Sequence, residues 1–351
     1  MNIGIVTLPL NNNYGGILQN YALQQALIKL GHKPTTIYYR FSLPFPRNVL
    51  SIIKQFLLGK KLSALHTAPE FKKFISDNIY ITQPLRKYSA DLISSYKFDV
   101  LIAGSDQIWR PRYSPFCFYD MFLDFAIESR ICKISYAASF GTSKWELNQD
   151  QTKKSQKLLG EFKAISVRED TAVDLCNEKL QLEAVHVIDP TMLLSRNDYE
   201  RLVDDNTVVD KNQLTVYLLD ITSQLREQIE LYAKENNLTP VYLSSDTFDK
   251  NKTVSIGKWL AYISKSKMII TDSFHGTVFS IIFKREFRTI VNQKRGADRF
   301  YSLFRKLNIC DHVVDIDNIS FDAIDINWNE VDQKITEWRK FSYDFLNSNI
   351  V

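Results

Sequence analysis

The chain has 351 residues, 45% of them hydrophobic and 24% charged, which is long enough for two domains that each bury an apolar core. With 11 glycines, 10 prolines and no low-complexity tract, it excludes disorder, collagen-like repeats and a long flexible linker. Its 44 Lys and Arg against 40 Asp and Glu leave a net charge of +4 spread along the sequence. That gives nucleic-acid binding little support and suits a small phosphorylated or carboxylated substrate equally well.

Cys117, Cys132, Cys176 and Cys310 lie far apart with no C-x-x-C pair, so spacing offers neither a zinc knuckle nor a redox motif, and they read as reduced, mostly buried thiols. The amino terminus runs straight into Ile3-Gly4-Ile5-Val6 without a basic leader, and no segment offers about 18 unbroken apolar residues, so a cytoplasmic protein is expected.

In chain order, Ile3 to Leu8 is an apolar run ending at Pro9; a polar loop through Asn13, Tyr14 and Gly15 follows, then apolar positions at helical spacing from Leu18 to Leu30 before Gly31. The pattern predicts strand, loop and helix. Further strands are predicted at Thr35 to Tyr39, Phe98 to Ala103, Lys133 to Tyr136 and Ala164 to Val167. Arg47 to Leu65 is a basic, apolar-periodic segment, read either as touching membrane lipid or as a helix covering the sheet with its lysines in water. Asp189-Pro190-Thr191 breaks a strand and is read as a hinge. After it, strands are predicted at Gln213 to Leu219, Pro240 to Leu243, Met268 to Thr271 and Arg288 to Val291. Helices at Ser223 to Asn236, Ile256 to Ser266, Thr277 to Phe283 and Ala297 to Leu307 separate or follow them. Glu330 to Leu346 carries Val331, Ile335, Trp338, Phe341 and Phe345 at helical spacing and is expected to pack across a domain surface.

Strands alternating with helices imply an α/β chain of two Rossmann-like domains, here 1–190 and 191–325 with a terminal helix over 326–351, whose facing carboxyl ends enclose a cleft. Ligand chemistry is expected in that cleft.

The most informative segment is Thr271 to Ser280, where an apolar strand ends in polar residues that open a helix. Asp272 or Ser273 can cap it, its positive end suits a phosphate or carboxylate, and His275 sits in its first turn beside Gly276 and Thr277. The other four histidines lack such a setting. Gly104-Ser105-Asp106-Gln107-Ile108-Trp109 also follows a strand. There Asp106 can orient or deprotonate a sugar hydroxyl and Trp109 can stack on a sugar, or both are turn chemistry and core. Arg168, just beyond Ile165-Ser166-Val167, offers a two-pronged donor to an anion or pairs with Glu169 or Asp170 at the surface. Lys294 and Arg299 belong to a basic cluster that completes an anion pocket or is a solvated helix start. The small residues around Ser139 form another strand-end loop. Neither G-x-G-x-x-G nor G-x-x-x-x-G-K-[ST] occurs, which disfavours NAD and P-loop chemistry, and no His, Cys and carboxylate cluster has metal-ligand spacing.

Asn13-Tyr14-Gly15-Gly16, Gly104 to Trp109, Ser135 to Gly141, Ser166 to Glu169, Asp189-Pro190-Thr191 and Asp272 to Gly276 together resemble, in order and spacing over Met1 to Leu307, the polysaccharide pyruvyl transferase family. The resemblance implies a GT-B-like fold, phosphoenolpyruvate as donor, a hexose as usual acceptor, His275 as catalytic histidine and Arg168 as a donor-binding arginine. The expected site is then His275, Asp106 and Arg168 for chemistry. Around them Asn13, Tyr14, Gly15, Gly104, Ser105, Trp109, Ser139, Asp272, Ser273, Gly276, Thr277, Lys294 and Arg299 bind substrate. No cofactor is expected, and a lipid-linked oligosaccharide is among the candidate acceptors. The rival expectations are a GT-B glycosyltransferase using a nucleotide sugar and a non-catalytic carbohydrate-binding protein.

Overall fold

A computed structural model of the chain describes residues 1–39, 67–244, 253–291, 296–314, 321 and 325–350. The basic segment at 47–65 and Lys294 lie outside the described residues. Near the amino terminus, β1 (Asn2–Val6), α1 (Tyr14–Lys29), β2 (Lys33–Thr36), α2 (Pro69–Asn78), α3 (Asp91–Ser95), β3 (Val100–Ala103) and β4 (Cys132–Ser135) follow one another. The series goes on through α4 (Gln149–Leu159), β5 (Ser166–Val167), α5 (Asp170–Leu180), β6 (Val185–His186) and the short helices α6 (Pro190–Leu193) and α7 (Arg196–Glu200). The strands β2, β1, β3 and β4 lie side by side in that order, all parallel. Bridges from Ile134 to Ala164 and from Ala138 to Val167 extend the sheet toward the β5–β6 pair.

The second series is β7 (Gln213–Tyr217), α8 (Ser223–Glu235), β8 (Thr239–Leu243), α9 (Ile256–Lys265), β9 (Met268–Thr271), α10 (Phe274–Ile282), β10 (Glu286–Ile290), α11 (Asp298–Leu307) and β11 (Val313–Val314). Its parallel sheet has the order β8-β7-β9-β10-β11. Both sheets therefore start 2-1-3, so the strand order reverses between β1 and β3 in one and between β7 and β9 in the other. Crevices of this kind open at the carboxyl ends of the strands on either side of the reversal.

Buried aromatic side chains join the two halves. Tyr14 of α1 stacks on Trp259 of α9 at 5.1 Å and meets Tyr217 of β7 edge-on at 5.7 Å. The Tyr14 hydroxyl donates to the Val254 carbonyl at 2.7 Å and accepts from the Val254 N–H at 3.0 Å. Gly31, in the left-handed region at φ +83°, ends the turn after α1, as its position in the sequence predicts.

The last helix, α12 (Trp328–Asn349), buries Val331, Ile335, Trp338 and Leu346, whereas Phe341 of the predicted apolar stripe faces outward at 48% exposure. It returns to the stretch between β6 and α7. Ser342 accepts from the Ile188 N–H, Trp338 donates to the His186 carbonyl, and Arg339 donates to the Met192 and Leu194 carbonyls. Asp189-Pro190-Thr191, the expected hinge, therefore lies under this helix. Asp189 and Thr191 are buried, and Asp189 caps α6 by accepting from the Thr191 N–H at 2.9 Å. Among the described residues no helix is long and apolar enough to cross a membrane. Of the cysteines, Cys117 and Cys176 are buried and Cys310 is exposed.

His186 sits under α12 with its ring edge-on to Trp338 at 4.7 Å and its Nε2 2.9 Å from the Arg168 carbonyl. Burial pushes the imidazole down to about 4 from its ordinary 6.5. The neutral ring therefore contributes stability that is fully present above pH ~6.5 and is lost as pH falls toward ~4. Chemical denaturation at pH 7.5 and pH 5 is expected to show His186→Gln losing ~2 kcal/mol less stability than the parent chain between the two pH values. Equal losses would contradict the placement.

Candidate active site

A cavity of about 160 Å³ opens between the halves, lined by Leu8, Asn13, Asp106, Gln107, Tyr113, Leu219, Asp272, Ser273, Phe274, His275 and Arg299. Leu8 and Asn13 follow β1, Asp106 to Tyr113 follow β3, Leu219 follows β7 and Asp272 to His275 follow β9. The four loops at the two strand-order reversals thus supply nearly all of the wall, with Arg299 from α11 completing it. Two helices also start here. Asn13 caps α1 by accepting from the Gly16 N–H at 3.1 Å, and Ser273 caps α10 by accepting from the Gly276 N–H at 3.3 Å. Both helices direct their positive ends to one cavity, an arrangement suited to an anion.

His275 is the second residue of α10 and only 6% exposed. Its Nε2 is 3.7 Å from Asp189 Oδ2, close enough for charge interaction but too far for a hydrogen bond, and it has no hydrogen-bond partner among the described residues. The ring also presses on α1, since a Cβ on Gly15 would overlap its Nδ1 and Cγ. Gly15 is therefore required by the histidine rather than by a ligand.

Behind the cavity wall lies a charge cluster. The Arg168 side chain is 1% exposed; it donates to Asp189 Oδ2 at 3.0 Å, to Ser105 Oγ at 3.5 Å and to Asp106 Oδ1 at 3.4 Å. Burial alone would push the Asp106 carboxyl up, but Arg168, His275 and Arg299 outweigh it and hold the group below its ordinary range. Asp189, likewise buried, is held well below that range by His275 and Arg168. Asp106 adopts φ +86°, a conformation that costs free energy in a residue with a side chain and is held by the Gln107 N–H at 2.8 Å from its carboxylate. Phe274 carries a guanidinium centre 4.9 Å from its ring centroid for Arg168 and 5.1 Å for Arg299. Burial lowers the Arg299 guanidinium to about 10, with Arg168 adding repulsion. It stays charged at neutral pH.

Asn13, Asp106, Asp272, Ser273, His275 and Arg299 of the predicted set reach the cavity; the others among the described residues do not line it. Arg168, expected to bind the donor, lies behind the cavity wall and pairs with Asp106 and Asp189. Trp109 is fully buried, stacked on Phe122 at 5.4 Å with its Nε1 donating to the Met121 carbonyl, so it is core and no sugar platform. Tyr14 is core as described above. Ser105 is buried beside Arg168, and a Cβ on Gly104 would press on Ile5 at 3.1 Å. Ser139 donates to Glu169, and Thr277 shares its hydroxyl with Thr289 at 2.8 Å in the core. A Cβ on Gly276 would collide with Thr271 of β9, so that glycine serves helix-on-strand packing. The cap of α10 is Ser273; Asp272 accepts from the Leu219 and Asp220 N–H groups at 2.6 and 3.0 Å and fixes the loop after β7.

Sequence reasoning missed Asp189, Glu169, Gln107, Phe274 and Tyr113. Glu169 is buried, and its Oε1 accepts from Ser139 Oγ and from the Phe140 and Gly141 N–H groups, each at 2.9 Å, which holds the loop after β4. Burial pushes its carboxyl up. The signal for Asp189 was its proline neighbour, which reads as a chain break; its charge partners are distant in sequence. Among the described residues no group of three His, Cys, Asp or Glu is placed to hold a metal ion.

Two Rossmann-like halves with a cavity at both strand-order reversals define a GT-B-type chain. Solved structures share this fold: MnaA of S. aureus in a co-structure with UDP has a TM-score of 0.53 at 12% identity, covering 97% of this chain and 89% of that one. A putative UDP-N-acetylglucosamine 2-epimerase from Listeria monocytogenes gives 0.51 at 10%, covering 98% and 89%. The UDP-GlcNAc 2-epimerase of Neisseria meningitidis bound to UDP-GlcNAc gives 0.50 at 9%, covering 98% and 93%. At such identities the likeness is one of fold. No curated protein matches the chain. The family model for polysaccharide pyruvyl transferases matches residues 13–294, and the chain belongs to that family.

Gly15→Ala is expected to lower the unfolding free energy by about 1–3 kcal/mol through overlap with His275. Gly16→Ala, whose Cβ would meet nothing nearer than Asn13 at 3.4 Å, is expected to be neutral or stabilising. Equal effects in chemical denaturation would contradict the close approach of α1 to the histidine.

Proposed function

We propose that this chain is an enzyme that transfers the pyruvyl unit of phosphoenolpyruvate to two hydroxyls of a sugar residue, forming a cyclic ketal and releasing phosphate, in polysaccharide or glycoconjugate synthesis. The observation that carries the reading is a partly enclosed cavity where two helix N-termini, Arg299, His275 and Asp106 converge, in a chain of the pyruvyl transferase family. Phosphoenolpyruvate presents a phosphate and a carboxylate a few bonds apart. Those groups match the positive end of α10 and the Arg299 guanidinium.

His275, protonated, gives its proton to the methylene carbon, and the carbon bearing the phosphate becomes electrophilic. Asp106, held ionised, orients an acceptor hydroxyl and takes its proton as the oxygen adds to that carbon. The phosphate–carbon bond then breaks, and phosphate leaves with the electron pair, stabilised by Arg299 and the helix ends. A second hydroxyl of the same sugar adds to the carbon and loses its proton, closing the ketal. Of the two hydroxyl protons, one balances that delivered to carbon and the other departs with phosphate. The balance calls for no redox cofactor. Arg168 acts as a positioning residue, since it holds Asp106 and Asp189 around His275.

The rival reading, a glycosyltransferase using a nucleotide sugar, shares the fold. The two separate when the protein is incubated with methyl hexosides and either phosphoenolpyruvate or UDP-GlcNAc, with phosphate release and acceptor mass as readouts. An acceptor that gains the mass of a pyruvate ketal is the expected product. His275→Ala is expected to reduce the rate by about 10²–10⁴-fold. Near-normal phosphate release by that variant would overturn the role of His275, and glycosyl transfer from UDP-GlcNAc would overturn the reaction.

A further inference from the structure

We propose that Tyr113 is the stacking platform for the acceptor and so sets its chemical class: a hexopyranose with an unobstructed apolar face. The inference rests on the pyruvyl-transfer reading for what happens to the sugar, but the platform itself rests on geometry. Trp109 cannot do this, being sealed in the core. Four residues on, in the same loop after β3, Tyr113 lines the cavity with Asp106 and Gln107 and is 36% exposed.

The ring is held. The guanidinium centres of Arg110 and Arg112 lie 5.8 and 5.3 Å from its centroid. Arg110 is fixed in turn by two bonds to Glu146, at 2.9 and 2.8 Å, and by one to Gln107 Oε1 at 3.2 Å. The next residue, Ser114, is buried with its hydroxyl donating to the Ile108 carbonyl at 3.4 Å. Pro111 and Pro115 restrict the backbone on either side. The loop therefore presents a flat side chain with few torsions to lose, which binds at low entropic cost.

A pyranose carries C–H groups on its faces and hydroxyls round its edge. Its apolar face matches the electron-rich ring of a tyrosine. With one face on Tyr113, its edge can reach Asp106 and Gln107, which line the same cavity as Phe274, His275 and Arg299. The other rings that line the cavity, Phe274 and His275, are only 4% and 6% exposed.

The test is saturation-transfer NMR with methyl β-galactopyranoside, methyl β-glucopyranoside and uridine monophosphate, beside calorimetric titration with phosphoenolpyruvate. The wild type is expected to saturate the ring C–H protons of at least one hexoside. Tyr113→Ala is expected to cut that signal at least about fivefold and Tyr113→Phe to keep most of it, with phosphoenolpyruvate affinity unchanged within about twofold in both. The platform is overturned if the wild type saturates neither hexoside, if Tyr113→Ala saturates them equally, or if only the nucleotide shows Tyr113-dependent saturation. Failure of phosphoenolpyruvate to bind while Tyr113-dependent hexoside contact persists would instead count against pyruvyl transfer and leave the platform standing.

Discussion

The site is organised by one buried cation. The Arg168 guanidinium, 1% exposed, is surrounded by Asp189, Asp106 and the Phe274 ring. An arginine in that position is tolerable only with its charge matched, and removing a partner from such a pair costs about 3–5 kcal/mol. Those partners are the groups that define the cavity. Asp106 forms part of its wall, Asp189 approaches His275 from behind, and Phe274 opens the helix that carries the histidine. The local field at the cavity therefore follows from how Arg168 is neutralised.

Topology delivers these groups to one place. In both sheets the order reverses next to the first strand, and residues after β1, β3, β7 and β9 meet across the cleft. The site belongs to both halves at once, and the aromatic contact of Tyr14 with Trp259 and Tyr217 keeps those halves in register. Glycines at Gly15 and Gly276 let helices and the histidine ring approach closely enough for this to happen.

Much of this was legible in the sequence where the signal is local. The apolar run at Met268 to Thr271 followed by Ser273 marks a strand, a cap and a helix start, and the structure has β9, the cap and α10 there. Helices not named from the pattern, such as α2 and α4, bury few apolar side chains, Phe71 and Ile75 in one and Leu158 and Leu159 in the other, so little apolar signal marks them in the sequence. The two-residue strand β6 has no periodicity to read. Side-chain roles were harder still. Arg168 looked like a donor-binding group because its strand ends at the cleft, yet its partners, Asp106 and Asp189, lie 62 and 21 residues away. Trp109 and Tyr113 differ in exposure through packing against Phe122 and Phe140, which no spacing rule reveals.

The cavity thus combines fixed carboxylates behind and beside His275 with a second arginine, Arg299, that faces the open space and stays charged at neutral pH. The central claim is that this face receives phosphoenolpyruvate. Calorimetric titration of phosphoenolpyruvate into the wild type and Arg299→Met, repeated with UDP-GlcNAc present, tests it most directly. The account predicts binding in the range of about 1 μM to 1 mM. Arg299→Met should weaken it by at least about tenfold, and UDP-GlcNAc should have no effect on either protein. Absence of binding, equal binding by Arg299→Met, or displacement by UDP-GlcNAc would contradict it.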